Sequence, residues 1–287
     1  MNVPQPVLRL HLLKVGSCRH IERIALTGAP FKPVAFPALA ALIIHPTAGA
    51  ILFDTGYARH FHEATQVFPE RIYRWLTPVV QPPHQQLSRQ LARFGVALGD
   101  VRLCILSHYH GDHVAGLRDL PNAGIMVMRA AHEDLRRRGR LGALIHGLLP
   151  RLLPADLDAR TRFAEMQPAV TLAEPWNSLG AGHDLIGDRS LLGVALPGHA
   201  AGHMGLLLRD SDGRQVLLSA DAAWSIQGIR EFRMPSRLVR PILDDWRAYR
   251  GTLDRLHRLS VAHPELVILP SHCSTSLGAY QYSWGLQ

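Results

Sequence analysis

A chain of 287 residues, 47% of them hydrophobic and 19% charged, is long enough to bury a large core and has the composition of a globular protein. No apolar run approaches the roughly 18 residues that a membrane-spanning helix needs, and three distant cysteines imply no disulfide framework. The net charge of +8 comes mainly from arginines scattered along the chain, so we expect neither a nucleic-acid partner nor a membrane partner.

The N-terminal stretch MNVPQPVLRLHLLKVG does not have the pattern of a secretory signal. Its prolines stand where a signal peptide has a basic patch followed by an uninterrupted apolar stretch. We therefore predict a cytoplasmic location.

Five apolar segments predict buried strands, and each ends at a polar side chain that can bind a metal. Because the ends of neighbouring strands hold their loops rigidly, we expect these side chains to meet at one shared edge. In chain order the segments are GAILFDTG, VRLCILSH, LLGVALPGH, RQVLLSAD and ELVILPSH, which end at or near Asp54, His108, His199, Asp221 and His272.

Helical patterns lie between these strands. QQLSRQLARFG places Leu87, Leu91 and Phe94 on one stripe, and DDWRAYRGTLDRLHRLS opens with two acidic residues before a second amphipathic stripe. We predict a single domain over 1–287 with a helical, arginine-rich insertion at about 129–180. This insertion is expected to form a wall or lid of the substrate pocket, with a homodimer interface as the alternative.

The motif SHYHGDH, residues 107–113, predicts a metal site. His108 and His110 are two residues apart, so in extended backbone both imidazoles point the same way, and Gly111 lets the chain turn to present Asp112 and His113. Imidazole nitrogen and carboxylate oxygen are ligands that zinc accepts. Together with the three later strand ends this makes seven candidate ligands, too many for one tetrahedral ion. The sequence therefore predicts two divalent ions that share a carboxylate, with zinc as the first choice and iron or manganese as alternatives. For Asp54 we predict that its carboxylate hydrogen-bonds to a ligand histidine and orients it; the alternative is that Asp54 is only a turn residue.

The motif, followed by LPGHAAGHMG, SAD and PSHC, resembles the metallo-β-lactamase superfamily in order and spacing from about Leu42 to His272. The resemblance implies an α/β fold of the αββα type, with two mixed β-sheets flanked by helices. Within this resemblance, a histidine rather than a glutamate at position 110 argues against the oxygen-reducing di-iron branch. The implied ligands are His108, His110 and His199 for one ion and Asp112, His113 and His272 for the other, with Asp221 bridging.

Within the superfamily, the GHAAGH turn and the ligand set look most like the lactonases that open acyl-homoserine lactones. This likeness implies a dinuclear metal-dependent hydrolase that opens a lactone or cleaves a small ester by metal-bound hydroxide. Asp112 and Asp221 would take catalytic roles, with Asp112 moving the proton. Those lactonases carry a substrate-contacting tyrosine three residues after the bridging aspartate. Here Trp224 stands at that position, and we predict that it binds substrate.

Three other functions remain as alternatives. A glyoxalase II-like thioesterase uses similar ligands, and the arginines of 136–140 would be its candidates for holding a glutathione-like tail. A phosphodiesterase or nuclease of the same superfamily would suit the positive charge, although no separate tRNA-binding arm is recognised. A metal sensor without catalysis is the last, and a complete ligand set argues against it.

Overall fold

Two mixed β-sheets form the centre of the computed structural model, which describes residues 6–282. The strands are β1 (Arg9–Ile21), β2 (Pro33–His45), β3 (Gly49–Phe53), β4 (Val79–Val80), β5 (Val101–Ile105), β6 (Gly124–Val127), β7 (Thr161–Phe163), β8 (Ala169–Thr171), β9 (Ala181–Asp184), β10 (Leu191–Ala195), β11 (Met204–Arg209), β12 (Gln215–Ala220) and β13 (Val267–Pro270). The first sheet has the order β4-β1-β2-β3-β5-β6-β7, and the second has the order β13-β12-β11-β10-β9-β8.

Eleven α-helices surround the two sheets within residues 6–282. They are α1 (Glu22–Ala25), α2 (Arg59–Ala64), α3 (Glu70–Leu76), α4 (Leu87–Ala92), α5 (Gly111–Val114), α6 (Arg129–Arg137), α7 (Arg140–Ile145), α8 (Leu157–Arg160), α9 (Ile226–Arg230), α10 (Trp246–Ala262) and α11 (Ser274–Tyr282). Both predicted amphipathic helices are confirmed as α4 and α10. The side chain of Asp245 caps α10 by accepting hydrogen bonds from the backbone N–H groups of Arg247 and Ala248.

The strands are apolar on both sides because both faces of each sheet are covered. In β3, Ile51 and Phe53 pack into the core between the sheets, whereas Ala50 and Leu52 pack towards the helices beside the first sheet. A third cluster, which includes Leu217 of β12 and Leu253 and Leu256 of α10, fills the space outside the second sheet. This layering of helix, sheet, sheet and helix confirms the predicted αββα sandwich.

The segment 129–180 contains α6, α7 and α8, and it also supplies strands to both sheets. β7 pairs with β6 at the edge of the first sheet, and β8 pairs with β9 at the edge of the second. Its treatment as an insertion within one domain stays a prediction. Within residues 6–282, no helix combines the length and apolar character needed to cross a bilayer, and the three cysteines are free.

Candidate metal centre

The seven predicted ligands lie together where the two sheets meet. His108, His110, Asp112 and His113 follow β5 of the first sheet. The other three follow strands of the second sheet: His199 after β10, Asp221 after β12 and His272 after β13. The predicted shared edge is thus formed jointly by two sheets. One group of close ligand atoms contains His108, His110, His199 and Asp221, and a second contains Asp112, His113 and His272.

Asp221 stands between the two groups. Its Oδ2 lies 3.2 Å from Nε2 of His199 and 3.1 Å from Nε2 of His272. Its Oδ1 lies 3.4 Å from Nε2 of His113. One buried carboxylate therefore faces imidazoles of both groups, the position that a bridging ligand requires.

Asp54 lies directly behind the ligand histidines, at the end of β3. Its fully buried carboxylate accepts a hydrogen bond from Nδ1 of His113 at 2.7 Å and two from Ser107, one from the backbone N–H and one from the hydroxyl, both at 2.8 Å. The Ser107 hydroxyl in turn lies 2.9 Å from Nδ1 of His108. Asp54 is thus placed to orient one predicted ligand histidine directly and a second through Ser107, because a fixed Nδ1–H leaves the Nε2 lone pair free to bind.

The donor atoms that face the cluster fit divalent metal ions. His272 donates from Nδ1 to the carbonyl oxygen of Pro37 at 2.8 Å, so its Nε2 also faces the cluster. Within residues 6–282, Nε2 of His108, Nε2 of His113 and Oδ1 of Asp221 are buried without a hydrogen-bond partner. Buried polar atoms are rarely left unpaired, and a metal ion would satisfy all three.

The histidines of the first group are held neutral. Burial, reinforced by neighbouring imidazoles, lowers the pKa of His108 well below its usual range. Burial also lowers the pKa of His110 to about 4 and that of His199 well below its usual range, although Asp221 acts in the opposite direction on both. Neutral imidazole is the form that binds a metal, so these three side chains are ready to do so at neutral pH.

In the second group, acidic neighbours raise the pKa of two histidines. Burial by itself would lower the pKa of His272, but Asp221 and Asp112 outweigh it and raise the pKa to about 9. For His113, the combined attraction of Asp54, Asp112 and Asp221 likewise overcomes burial and raises the pKa well above its usual range. Without a metal, these two histidines hold protons that an incoming ion must displace.

Sequence reasoning did not find His203, a buried histidine beside the cluster. Its ring centroid is 5.1 Å from that of His108, and its Nε2 accepts a hydrogen bond from the backbone N–H of Asp221 at 3.1 Å. Burial lowers its pKa to about 3, which keeps this nitrogen free to accept. The only sequence signal is the second histidine of GHAAGH, four residues after His199. His203 therefore positions the backbone of Asp221, the predicted bridging ligand.

The segment 129–180 contacts the site. Leu148 forms an isolated β-bridge with His110, and Leu149 is buried close to Gly111. Leu141 and Ile145 of the same segment are exposed to solvent. The segment thus lies against the predicted ligands, while part of its apolar surface faces outward.

A cleft of about 450 Å³ opens beside His272. Its apolar walls include Leu26, Phe36 and Ile226. Trp224, the predicted substrate-binding residue, also lines the cleft, with its ring edge-on to that of His199 at a centroid distance of 5.9 Å. The indole Nε1 of Trp224 is buried and has no hydrogen-bond partner within residues 6–282.

Asp54→Asn is expected to weaken metal binding by about 10–100-fold, because Asp54 uses both carboxylate oxygens to accept from Ser107 and His113, whereas asparagine has one acceptor oxygen and would turn its amide nitrogen towards one of these donors. Competition with a chromophoric chelator measures this affinity. Asp184→Asn is a matched control, since Asp184 is also buried and accepts backbone N–H groups, from Gly187 and Arg189, in another loop. Equal affinities for the two variants would contradict the role given to Asp54.

The chain is similar to known metallo-hydrolases over most of its length. The profile of the family described as "Metallo-beta-lactamase superfamily" matches residues 34–272. The chain is 26% identical over 240 residues to the N-acyl homoserine lactonase AttM of Agrobacterium fabrum, covering 81% of this chain and 82% of that relative. It is also 26% identical over 248 residues to the probable metallo-hydrolase Rv2300c of Mycobacterium tuberculosis, covering 80% and 73% of the two chains.

Solved structures share the fold. An N-acyl homoserine lactone hydrolase with the product N-hexanoyl-L-homoserine at its catalytic metal center superposes with a TM-score of 0.72 at 17% identity, covering 96% of this chain and 97% of the other. The dizinc quorum-quenching lactonase AidC gives a TM-score of 0.64 at 14% identity, covering 95% and 90%. The likeness to the lactonase branch and the enzyme class predicted from the sequence are thereby confirmed, and the chain belongs to the metallo-beta-lactamase superfamily.

Proposed function

We propose that this protein is a dinuclear metal-dependent hydrolase that opens the ester ring of a lactone carrying an acyl chain. The observation that carries the proposal is the position of Asp221, whose two oxygens face histidines of both ligand groups. The lactonase relatives support the choice of a lactone, and the apolar walls of the cleft beside His272 suit an acyl chain. A cytoplasmic location remains part of the proposal.

We propose that His108, His110 and His199 hold one ion, that Asp112, His113 and His272 hold the other, and that Asp221 binds both. Zinc is the first choice, because imidazole and carboxylate suit it, with iron or manganese as alternatives. When bound, two such ions supply a nucleophile at neutral pH and polarise the ester carbonyl.

Asp112 is the proposed proton carrier. Its Oδ2 lies 3.3 Å from Nε2 of His272 and 3.7 Å from Nε2 of His113, so the carboxylate borders the second ligand group. The side chain is largely buried, which keeps bulk water from competing for the proton. From this position Asp112 accepts the proton released when water attacks the carbonyl and returns it to the leaving alkoxide.

The arginines that a thioesterase would use for a glutathione-like tail are engaged elsewhere. Arg137 and Arg138 both pair with Asp134. The other two pairs are Arg136 with Asp158 and Arg140 with Glu70. An anionic tail would have to break these pairs, so the described contacts favour the lactone over the thioester.

Trp224→Phe is expected to lower kcat/KM for the preferred lactone by about three- to tenfold, because phenylalanine keeps an aromatic ring in the cleft but cannot donate a hydrogen bond. We propose that the buried indole N–H donates to an oxygen of the substrate. Trp176→Phe serves as the control, since the Nε1 of Trp176 donates to Gln215 away from the cluster. An unchanged kcat/KM in the Trp224 variant would remove this residue from substrate binding.

The proposed function is tested with zinc- and manganese-loaded enzyme on a panel of substrates. The panel contains acyl lactones of increasing chain length, an aryl ester, an S-acyl thioester and a phosphodiester. We expect the highest kcat/KM on an acyl lactone and no turnover by His110→Ala. If the thioester or the phosphodiester is the preferred substrate, the lactonase proposal is wrong and the corresponding alternative replaces it.

A further inference from the structure

The outward face of α3 is apolar. Ile72, Trp75 and Leu76 follow one another at helical spacing on one side of the helix, and Trp75 and Leu76 are 62% and 69% exposed. The ring of Phe68, also exposed, contacts that of Trp75 edge-on at a centroid distance of 5.4 Å. A surface helix ordinarily turns such a stripe inward, but here Tyr73 takes the inward position and packs against the core.

The neighbouring helix α7 extends this apolar surface. Arg140, at its start, donates from Nε and Nη2 to the carboxylate of Glu70, both at 2.7 Å, and from Nη2 to the carbonyl oxygen of Phe68 at 2.8 Å. α7 therefore begins beside the start of α3. Leu141 and Ile145, four residues apart on α7, are both exposed. We call the side chains of Phe68, Ile72, Trp75, Leu76, Leu141 and Ile145 the α3–α7 surface.

Unpaired positive charge accompanies these apolar side chains. Arg71 and Arg74 are exposed on α3, and neither has an ion-pair partner among residues 6–282. The guanidinium of Arg71 lies 6.0 Å from the ring centroid of Phe68. Glu70, the acidic residue of the same helix, is buried and neutralised by Arg140. The aromatic and aliphatic side chains of the α3–α7 surface are thus accompanied by the positive charges of Arg71 and Arg74.

We propose that the α3–α7 surface docks the protein onto an anionic lipid bilayer. Aromatic and aliphatic side chains enter the boundary between headgroups and acyl chains, while Arg71 and Arg74 pair with lipid phosphates. A second copy of the chain is the less suitable occupant. Across a twofold axis the same surface meets itself, so Arg71 and Arg74 of both copies would face each other with no acidic residue exposed on α3 to neutralise them.

This inference goes beyond the proposed hydrolysis and does not depend on it. The sequence-based expectation of no membrane partner rested on the lack of a long apolar run, which is a requirement for crossing a bilayer. Docking requires only an exposed apolar surface and complementary charge.

Cosedimentation of the metal-loaded full chain with lipid vesicles tests the proposal. One set of vesicles is phosphatidylcholine alone, and the other contains about one third phosphatidylglycerol, which gives a negative surface potential. We expect binding to the anionic vesicles that is at least about tenfold tighter than to the neutral ones and that weakens at high salt, since salt screens the attraction to phosphate.

Two double variants separate the apolar and charged contributions. Trp75→Ala with Leu76→Ala is expected to weaken binding by about tenfold or more, because two large apolar groups no longer leave water. Arg71→Gln with Arg74→Gln should weaken it by about fivefold for each charge removed. Leu238→Ala and Arg250→Gln are the matched controls, as exposed residues on other elements, and should bind like the unchanged protein. Thermal unfolding verifies that every variant is folded.

Two outcomes would overturn the proposal. The first is vesicle binding that is absent, or that is the same for the Trp75 and Leu76 double variant as for the unchanged protein. The second is a dimer in sedimentation velocity experiments that this double variant dissociates, which would assign the α3–α7 surface to a second copy of the chain.

Discussion

Asp221→Ala is expected to lower the metal content from two ions per chain to one or fewer and to reduce kcat/KM by at least about a thousandfold. Losing a residue that only orients a ligand costs 10–100-fold in metal affinity or activity, and a ligand shared by two ions must cost more. The buried carboxylate is close to His113, His199 and His272, so its removal affects both groups at once. Elemental analysis after dialysis against zinc, together with kinetics on the preferred lactone, measures both effects.

Asp112→Asn is the matched control for this experiment. Among the predicted ligands, Asp112 makes its close contacts with His113 and His272 of the second group, so its loss should leave the ion at His108, His110 and His199 in place. Asp221→Asn, which preserves volume, guards against a folding defect in the alanine variant. A fully loaded Asp221→Ala protein, with two ions retained, would show that this residue does not bridge.

The two ligand groups are expected to take up metal with different pH dependence. The histidines of the first group are already neutral at pH 7, because burial lowers their pKa. His272, with its pKa raised to about 9, and His113, whose pKa is also raised, must each release a proton, so the apparent affinity of the second ion should rise by at least about tenfold per pH unit between pH 7 and 9. Above pH 9, His272 is already neutral, so its deprotonation no longer contributes to the pH dependence of the affinity.

The stability of the metal-free protein should change in the opposite direction. A histidine whose pKa is raised by folding stabilises the fold fully below the unfolded value near 6.5, and this contribution is lost as the pH rises through about 9. Calorimetry in buffers of different ionisation enthalpy counts the protons released, and thermal unfolding after chelation follows stability. Uptake of both ions with the same pH dependence would contradict the assignment of these histidines to two separate ions.

Chelation should also abolish turnover, and added zinc or manganese should restore it.

Local sequence patterns were sufficient to predict which metal-binding side-chain types lie together at the candidate site. Each of the five strands ends within four residues of the polar side chain that closes its apolar segment, and the spacing of His108, His110, Asp112 and His113 already indicated a metal loop. These features depend on residues that are close in the chain, so periodicity and motif spacing are sufficient to predict them. The stripe of α10 was predicted for the same reason.

Contacts between distant parts of the chain were not predictable in this way. Ser107 links Asp54 to His108, and Pro37 accepts from a histidine 235 residues later, but neither residue type signals such a role. The strands β7 and β8, with three residues each, are too short for a periodic pattern. The outward stripe of α3 was missed because an apolar stripe ordinarily predicts a buried face.

The division of the ligands between two sheets has a consequence for how the molecule survives in a cell. Four predicted ligands belong to the first half of the chain and three to the second, so bound ions would cross-link the two halves in a protein whose cysteines are free. Unlike a disulfide, this cross-link needs no oxidant, and its strength depends on supply. An ion present at 100 times its dissociation constant stabilises the folded chain by about 2.7 kcal/mol. The equilibrium stability of the folded enzyme would thereby depend on the free metal concentration around it.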